Sequence, residues 1–278
     1  MKVNIVCNDT GWIYDQFVSA FEKYSSHTVV RNSKDKCDVT HYIPYYEVPD
    51  KTNGKTTAWF SHQEVKNPLR DKFIQAGRTV DYAISQSKKY FNVLWNNDIR
   101  NVKQIKPGVD LDRFVIRDNP PIRNKLVLGY VGRQYQSSNR KNPELLKAIS
   151  KLPFVELRVT GGNVRAEDMP KFYADLDYVI SPATVEGGPM CITEALAMGV
   201  PVIAFADVGI ANEFECGIIG VVGNNNTFIA VLKKLLEDKV HLEWHKDTAK
   251  KNARAQVEYY TWANFVREHE RVWEEICG

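Results

Sequence analysis

The residues best suited to chemistry lie in Glu186-Gly187-Gly188-Pro189-Met190-Cys191-Ile192-Thr193-Glu194, where seven residues separate two carboxylates. A buried-strand run ends just before them at Ser181-Pro182, and a helix-forming run begins near Cys191. A loop of this kind suits an anion for two reasons. Paired glycines let backbone amides approach a ligand with no Cβ in the way. The start of a helix adds unpaired N–H groups and a partial positive charge, which fits a diphosphate. Glu194, about one turn into the helix, is placed to accept hydrogen bonds from sugar or ribose hydroxyls. The plainer alternative is a helix-capping acid followed by a solvated glutamate.

Other candidates fall at comparable places. Leu128–Val131 leads into Gly132-Arg133, and Arg140-Lys141 opens a helix starting at Pro143, with Arg140 a rival to Lys141 for any cationic role. Ala58-Trp59-Phe60-Ser61-His62 ends a strand on a histidine, which in isolation reads as a satisfied imidazole. Asn8-Asp9-Thr10-Gly11-Trp12 joins a strand to a helix, either as a ligand-approaching loop at Gly11 and Trp12 or as a plain turn capped by Asp9 or Thr10. Asp110-Leu111-Asp112 and Asp175-Leu176-Asp177 both spell DxD, but neither brings convergent oxygens to a divalent cation. The expected metal-ligand set is none.

These residues need elements to hold them. Strand-length apolar runs alternate with amphipathic helical segments from end to end. Strands are predicted at Lys2–Cys7, Val29–Val30, Val39–Ile43, Thr56–Ser61, Tyr82–Ile84, Val102–Ile105, Leu126–Val131, Glu156–Thr160, Tyr178–Ile180, Pro201–Phe205 and Ile218–Val222. Helices are predicted at Ile13–Tyr24, Glu64–Ala76, Gln86–Asn96, Pro143–Lys151, Pro170–Leu176, Cys191–Met198, Asn226–Asp238, Val240–Ala255 and Trp262–Ile276. Such alternation gives parallel α/β sheets covered on both faces, with ligands beyond the carboxyl ends of the strands. The prolines of Arg117-Asp118-Asn119-Pro120-Pro121 mark the domain boundary.

From Tyr82 onward the chain resembles glycosyltransferase family 4, whose signature spans Ser181–Ala204, with further likeness in Leu128–Arg133, Arg140–Ala148 and Gln104–Phe114. The resemblance implies the GT-B architecture: two Rossmann-like domains whose parallel sheets face a cleft. The domains would be 1–117 on the acceptor side and 118–260 on the nucleotide-sugar side, with 261–278 a helix crossing back to the first. It implies a retaining glycosyltransferase, metal-independent and without cofactor, that uses a nucleotide sugar, UDP-linked, as substrate. In this reading Glu194 grips the donor ribose, and Glu186 faces the transferred sugar and phosphate. Gly132, Gly187, Gly188, Pro189, Met190 and Cys191 line the donor. Arg133 and Lys141 neutralise the diphosphate, cations aimed at developing charge being the main catalytic lever without a metal. His62 contacts donor sugar or acceptor, and Gly11 and Trp12 lie on the acceptor side. Gly161-Gly162-Asn163-Val164 lies near the donor base.

Composition bounds the rest. At 278 residues, 44% hydrophobic and 26% charged, the chain suits two globular domains, and no apolar run has membrane-spanning or signal-peptide length. Five scattered cysteines read as thiols of a reducing compartment, so the expected location is the cytoplasm, or the host's if phage-encoded. Residues 1–117 carry 18 Lys and Arg against 13 Asp and Glu, and the remainder 19 against 21. The acceptor is expected to be a glycan or lipid-linked glycan. The alternatives are a hydroxylated base in DNA, with peripheral contact to an anionic membrane also open, or an epimerase, phosphorylase or non-catalytic nucleotide-sugar sensor of the same fold.

Overall fold

A computed structural model describes residues 1–9, 13–66, 68–133, 139–237, 243 and 246–278. They form two compact units, Met1–Gly108 with Tyr260–Gly278, and Val109–Tyr259. The division therefore lies nine residues before the expected one at Arg117. Buried cations explain the difference. Arg117 donates to the carbonyls of Ala174 and Leu176, while Arg254 donates to those of Leu111, Phe114 and Ala197. Lys250 reaches the Arg117 carbonyl and Asn119. The segment around the prolines is thus stitched into the second unit, since desolvated ammonium and guanidinium groups need these acceptors.

The first unit contains β1 (Lys2–Val6), α1 (Ile13–Tyr24), β2 (Thr28–Arg31), β3 (Val39–Tyr42), β4 (Lys55–Phe60), α2 (Leu69–Thr79), β5 (Tyr82–Ser85), α3 (Lys88–Asn96) and β6 (Val102–Gln104). Its strands are all parallel, in the order β2-β1-β3-β4-β5-β6. α2 begins after Pro68 instead of running through it as expected, because proline has no N–H to donate inside a helix. β4 shows how alternation divides the core. Trp59 faces one apolar cluster with Val3, Phe17 and Phe21, whereas Ala58 and Phe60 face another with Phe73 and Leu94.

The second unit contains β7 (Leu126–Tyr130), α4 (Pro143–Ile149), β8 (Val155–Val159), α5 (Met169–Ala174), β9 (Tyr178–Ser181), α6 (Met190–Ala197), β10 (Val202–Phe205), β11 (Ile218–Val221), α7 (Asn225–Glu237) and α8 (Asp247–Ala255). Its sheet is also wholly parallel, ordered β11-β10-β9-β7-β8. β9 and β10 are buried along their length, as strands covered on both faces must be. Of the predicted helix Val240–Ala255, the stretches 240–242 and 244–245 lie outside the described residues.

The last helix, α9 (Trp262–Cys277), belongs to the first unit and supplies Phe265, Val266, Val272 and Trp273 to the cluster holding Phe17 and Phe21. Counting it there gives that unit 18 Lys and Arg against 15 Asp and Glu, and the second unit 19 against 19. The charge asymmetry between the units is thus smaller than between the sequence halves. Among the described residues no helix is long and apolar enough to cross a membrane.

α9 also buries His269 against His41 of β3, ring centroids 5.2 Å apart, both fully enclosed. Burial pushes His269 down to about 3, and burial together with the His269 neighbour pushes His41 well below its ordinary value. Both stay neutral in the folded unit, while the unfolded chain takes up protons near the ordinary value of 6.5. Stability from this pair is therefore complete above that pH and is lost as pH falls below it. At pH 5 each histidine should cost about 2 kcal/mol relative to pH 7.5. Urea midpoints at the two pH values check this, and equal midpoints would show that the imidazoles titrate freely.

Candidate functional site

In the second sheet the strand order reverses between β7 and β9, and open parallel sheets bind ligands outside the carboxyl ends of strands at such a point. The segment after β7 carries Gly132-Arg133, and the segment after β9 carries Pro182 to Glu186. A short 3-10 turn, Asn139–Lys141, precedes α4. Thr184 ties this turn to the β9 loop, its amide donating to the Arg140 carbonyl at 2.8 Å. Asn142 then reverses the chain in the left-handed region (φ 53°) and caps α4, its side chain accepting from the Leu145 amide. The Asn142 amide group also donates to Asn225 at the start of α7, fixing the turn from the other side.

Glu186 sits where these segments meet. Its Oε1 accepts from Arg140 Nη1 at 2.9 Å and is in contact with Lys141 Nζ. The three side chains are 10%, 15% and 16% exposed, so the charges are nearly dry and must neutralise one another. Burial, and then the neighbouring Arg140 guanidinium, push the Lys141 ammonium down to about 8. The site holds two cations and one carboxylate, which leaves it receptive to a further anion.

α6 begins directly after this loop. Its N-cap, Pro189, supplies no side-chain acceptor for the first amides, so the positive end of the helix is left to other partners. Glu186, Gly187 and Gly188 are buried, and the loop rests on Gly209. Gly209 has φ +57°, and a Cβ there would lie 2.8 Å from the Gly187 carbonyl oxygen, so both backbone conformation and space require glycine. Cys191 is buried, and burial raises its thiol to about 12, which keeps it protonated.

Glu194 is enclosed inside α6, with its Oε2 accepting from the Tyr173 hydroxyl of α5 at 2.6 Å. Burial pushes its carboxyl up, opposed by the Tyr173 hydrogen bond and by Arg113. Glu186 and Glu194 therefore differ in kind. The first is an anion between two cations, the second an almost dry carboxyl held by a tyrosine. Neither is the solvated glutamate of the plainer reading.

Arg133 is exposed, and its side chain lies over Gly162, where an added Cβ would come within 2.8 Å of Nε. The Gly132 amide donates to Thr160 Oγ1. Gly132, Arg133, Lys141, Glu186 to Cys191 and Glu194 all belong to the second unit, whereas His62 belongs to the first, after β4. The His62 ring contacts Ser61 Oγ at 3.3 Å and Glu64 Oε1 at 3.0 Å. Gly11 and Trp12 lie outside the described residues. The DxD aspartates are otherwise engaged. Asp110 accepts from the Asp112 and Arg113 amides, Asp175 pairs with Arg123 and Arg158, and Asp177 accepts from the Val127 amide. Among the described residues no group of three His, Cys, Asp or Glu could hold a metal ion.

Sequence reasoning missed Tyr173, Gly209 and Asn142. Tyr173 and Gly209 have no spacing signal, because each meets a partner from another element, whereas Asn142 before Pro143 carries the local signal of a helix N-cap.

Residues 111–238 match the family model for glycosyl transferases group 1. The chain is 30% identical over 164 residues to D-inositol 3-phosphate glycosyltransferase of Mycobacterium sp. (strains KMS, JLS and MCS), covering 46% of this chain and 37% of the relative. It thus spans little more than a third of the curated relatives it matches. Sucrose-phosphate synthase from Thermosynechococcus elongatus has the same fold, with a TM-score of 0.75, 14% identity and coverage of 99% of this chain and 98% of that one. HepE from Anabaena, solved in complex with UDP-glucose, gives 0.72 at 13% identity, covering 99% and 100%. The lipopolysaccharide outer core galactosyltransferase WaaB gives 0.67 at 13%, also covering 99% and 100%. Each unit carries the wholly parallel sheet expected of the GT-B fold.

The Tyr173–Glu194 bond yields a stability test. Tyr173→Phe leaves the buried Glu194 Oε2 without its donor and should destabilise the second unit by about 1–3 kcal/mol. Denaturant unfolding measures this, and a variant as stable as the parent would show that Glu194 finds its partner elsewhere.

Proposed function

Because residues 111–238 match the model for glycosyl transferases group 1, we propose that this chain moves a sugar from a UDP-linked donor to an acceptor hydroxyl. One observation carries the reading: Arg140, Lys141, Glu186 and the uncapped start of α6 converge at the switch point of the second sheet. That arrangement is built for a diphosphate with a sugar beyond it. The choice of UDP is supported by HepE, whose structures include complexes with UDP and UDP-glucose.

Each residue then has a task. Lys141 and Arg133 offset the charge that grows on the leaving diphosphate, helped by the amides that open α6 near Met190 and Cys191. Glu194 accepts from the ribose hydroxyls with the oxygen Tyr173 does not use. Glu186 faces the sugar, with Gly187, Gly188 and Pro189 shaping the loop around it. The roles of His62, Gly11 and Trp12, all in the first unit, toward the sugar or acceptor are assigned by resemblance alone. The anomeric carbon–phosphate oxygen bond breaks as the acceptor oxygen bonds on the same face. The acceptor proton passes to the leaving phosphate, so configuration is retained and no enzymic nucleophile is needed.

We assign the acceptor to a glycan or lipid-linked glycan. A DNA acceptor rested on the basic first half, and that excess is only +3 once the last helix is counted with its own unit. The reaction belongs in the cytoplasm, where nucleotide sugars are made, and uses no metal.

Glu194→Ala and Arg133→Ala should each lower donor turnover by about 30- to 1000-fold, corresponding to about 2–4 kcal/mol of transition-state stabilisation. Product analysis with a panel of UDP-sugars checks this, and near-normal turnover in either variant would sink the assignment. Excess EDTA should leave the wild-type rate unchanged, since Lys141 and Arg133 take the place of a cation. Loss of activity restored by manganese would overturn metal independence.

A further inference from the structure

The triad around Glu186 poses a problem for the reaction. Arg140 and Lys141 share a single oxygen of Glu186, yet the proposed mechanism requires Lys141 at the diphosphate. If both cations left with the donor, Glu186 would be an unpaired anion in a nearly dry site, which favours its protonation.

The two cations are not held alike. Arg140 is bound to the loop that carries Glu186: its carbonyl accepts the Thr184 amide at 2.8 Å and faces Thr184 Oγ1 at 3.4 Å. Side chain and backbone of one residue thus clasp the same loop. Among the described residues Lys141 has no such tie, and the reversal at Asn142 follows it immediately. Its ammonium is pushed down by burial and by Arg140, so a diphosphate is a better partner for it than a shared carboxylate oxygen. Glu186 Oε2 accepts no hydrogen bond among the described residues and is available to a sugar hydroxyl. Among the described residues, the other titratable group coupled electrostatically to Lys141 is the buried Cys191 thiol.

We infer that Arg140 is a positioning residue: it keeps Glu186 ionised and aimed at the donor sugar while Lys141 passes from Glu186 to the donor diphosphate. The inference rests on the reading of the site as a nucleotide-sugar site and adds a division of labour between adjacent cations. Glu186 thus offsets one of the two positive charges, and the donor displaces it from one cation only.

The test compares wild type with Arg140→Gln, Arg140→Lys and Lys141→Ala, using UDP binding by calorimetry and cleavage of UDP-glucose, or whichever UDP-sugar wild type cleaves. For Arg140→Gln, UDP affinity should stay within about 3-fold while kcat falls on the order of 100-fold. The acid limb of its kcat profile should move up by roughly one pH unit, as Glu186 becomes easier to protonate. Arg140→Lys should restore most of the rate and the limb, whereas Lys141→Ala should lose UDP affinity by at least about 10-fold. Loss of UDP binding in Arg140→Gln comparable to that in Lys141→Ala would make Arg140 a diphosphate ligand and overturn the inference. So would an unchanged kcat and acid limb. Wild-type protein that neither binds UDP nor cleaves any UDP-sugar overturns both the inference and the reading beneath it.

Discussion

A carboxylate and two cations taken out of water must find one another or leave the interior. Glu186, Arg140 and Lys141 obey that constraint at the carboxyl edge of the second sheet, and the local architecture follows from it. The 3-10 turn before α4 has to end beside the loop after β9, which the Thr184–Arg140 backbone bond enforces. Asn142 has to turn back sharply at φ 53° for the helix to start, and its amide is used twice, on Leu145 and on Asn225. Gly209 has to lack a side chain so that the Glu186 loop can settle. Each feature would be a local oddity in isolation. Together they hold a charge cluster in a fixed place with one positive charge left over.

The placement of the cluster is a property of parallel sheets. Strands β7 and β9 are neighbours while the chain between them visits β8 on the outer edge, so the loops leaving β7 and β9 diverge and open a crevice. Arg133, Glu186 and the start of α6 all derive from those two loops. The first sheet reverses in the same way between β1 and β3, where Asn8 donates to Glu47 at 2.6 Å across the two loops. Equivalent topology thus gives each unit a switch point, and among the described residues the dense set of buried charges lies at that of the second unit.

This difference explains what the sequence revealed. The strand runs were readable because strands buried on both faces are almost uninterruptedly apolar, as in Val202-Ile203-Ala204-Phe205. The loop proposed for the donor was readable as a loop and helix start because it is local: Glu186 through Glu194 form one loop and one helix, and their spacing survives in the linear chain. What escaped notice acts across elements. Tyr173 meets Glu194 from a separate helix, and Gly209 is demanded by a loop some twenty residues earlier. The domain boundary was misplaced for a related reason. Two prolines are visible in sequence, whereas the carbonyls that Arg117 and Arg254 satisfy are not.

The last helix shows the same principle acting on electrostatics. Read linearly, the chain is basic at the front and slightly acidic behind, which invites an anionic partner for the front. Yet α9, although last in sequence, is part of the first unit's core through Phe265, Val272 and Trp273, and brings Glu268, Glu270, Glu274 and Glu275 with it. Glu268 pairs with Lys103, and Glu270 receives hydrogen bonds from Ser25 and Ser26. One acidic residue at the end of the chain, Glu268, therefore answers a basic one far earlier in it, Lys103. Charge patterning bears on partners only after the fold has decided which residues share a surface. Here that decision reduces the charge excess that the linear sequence assigned to the front of the chain.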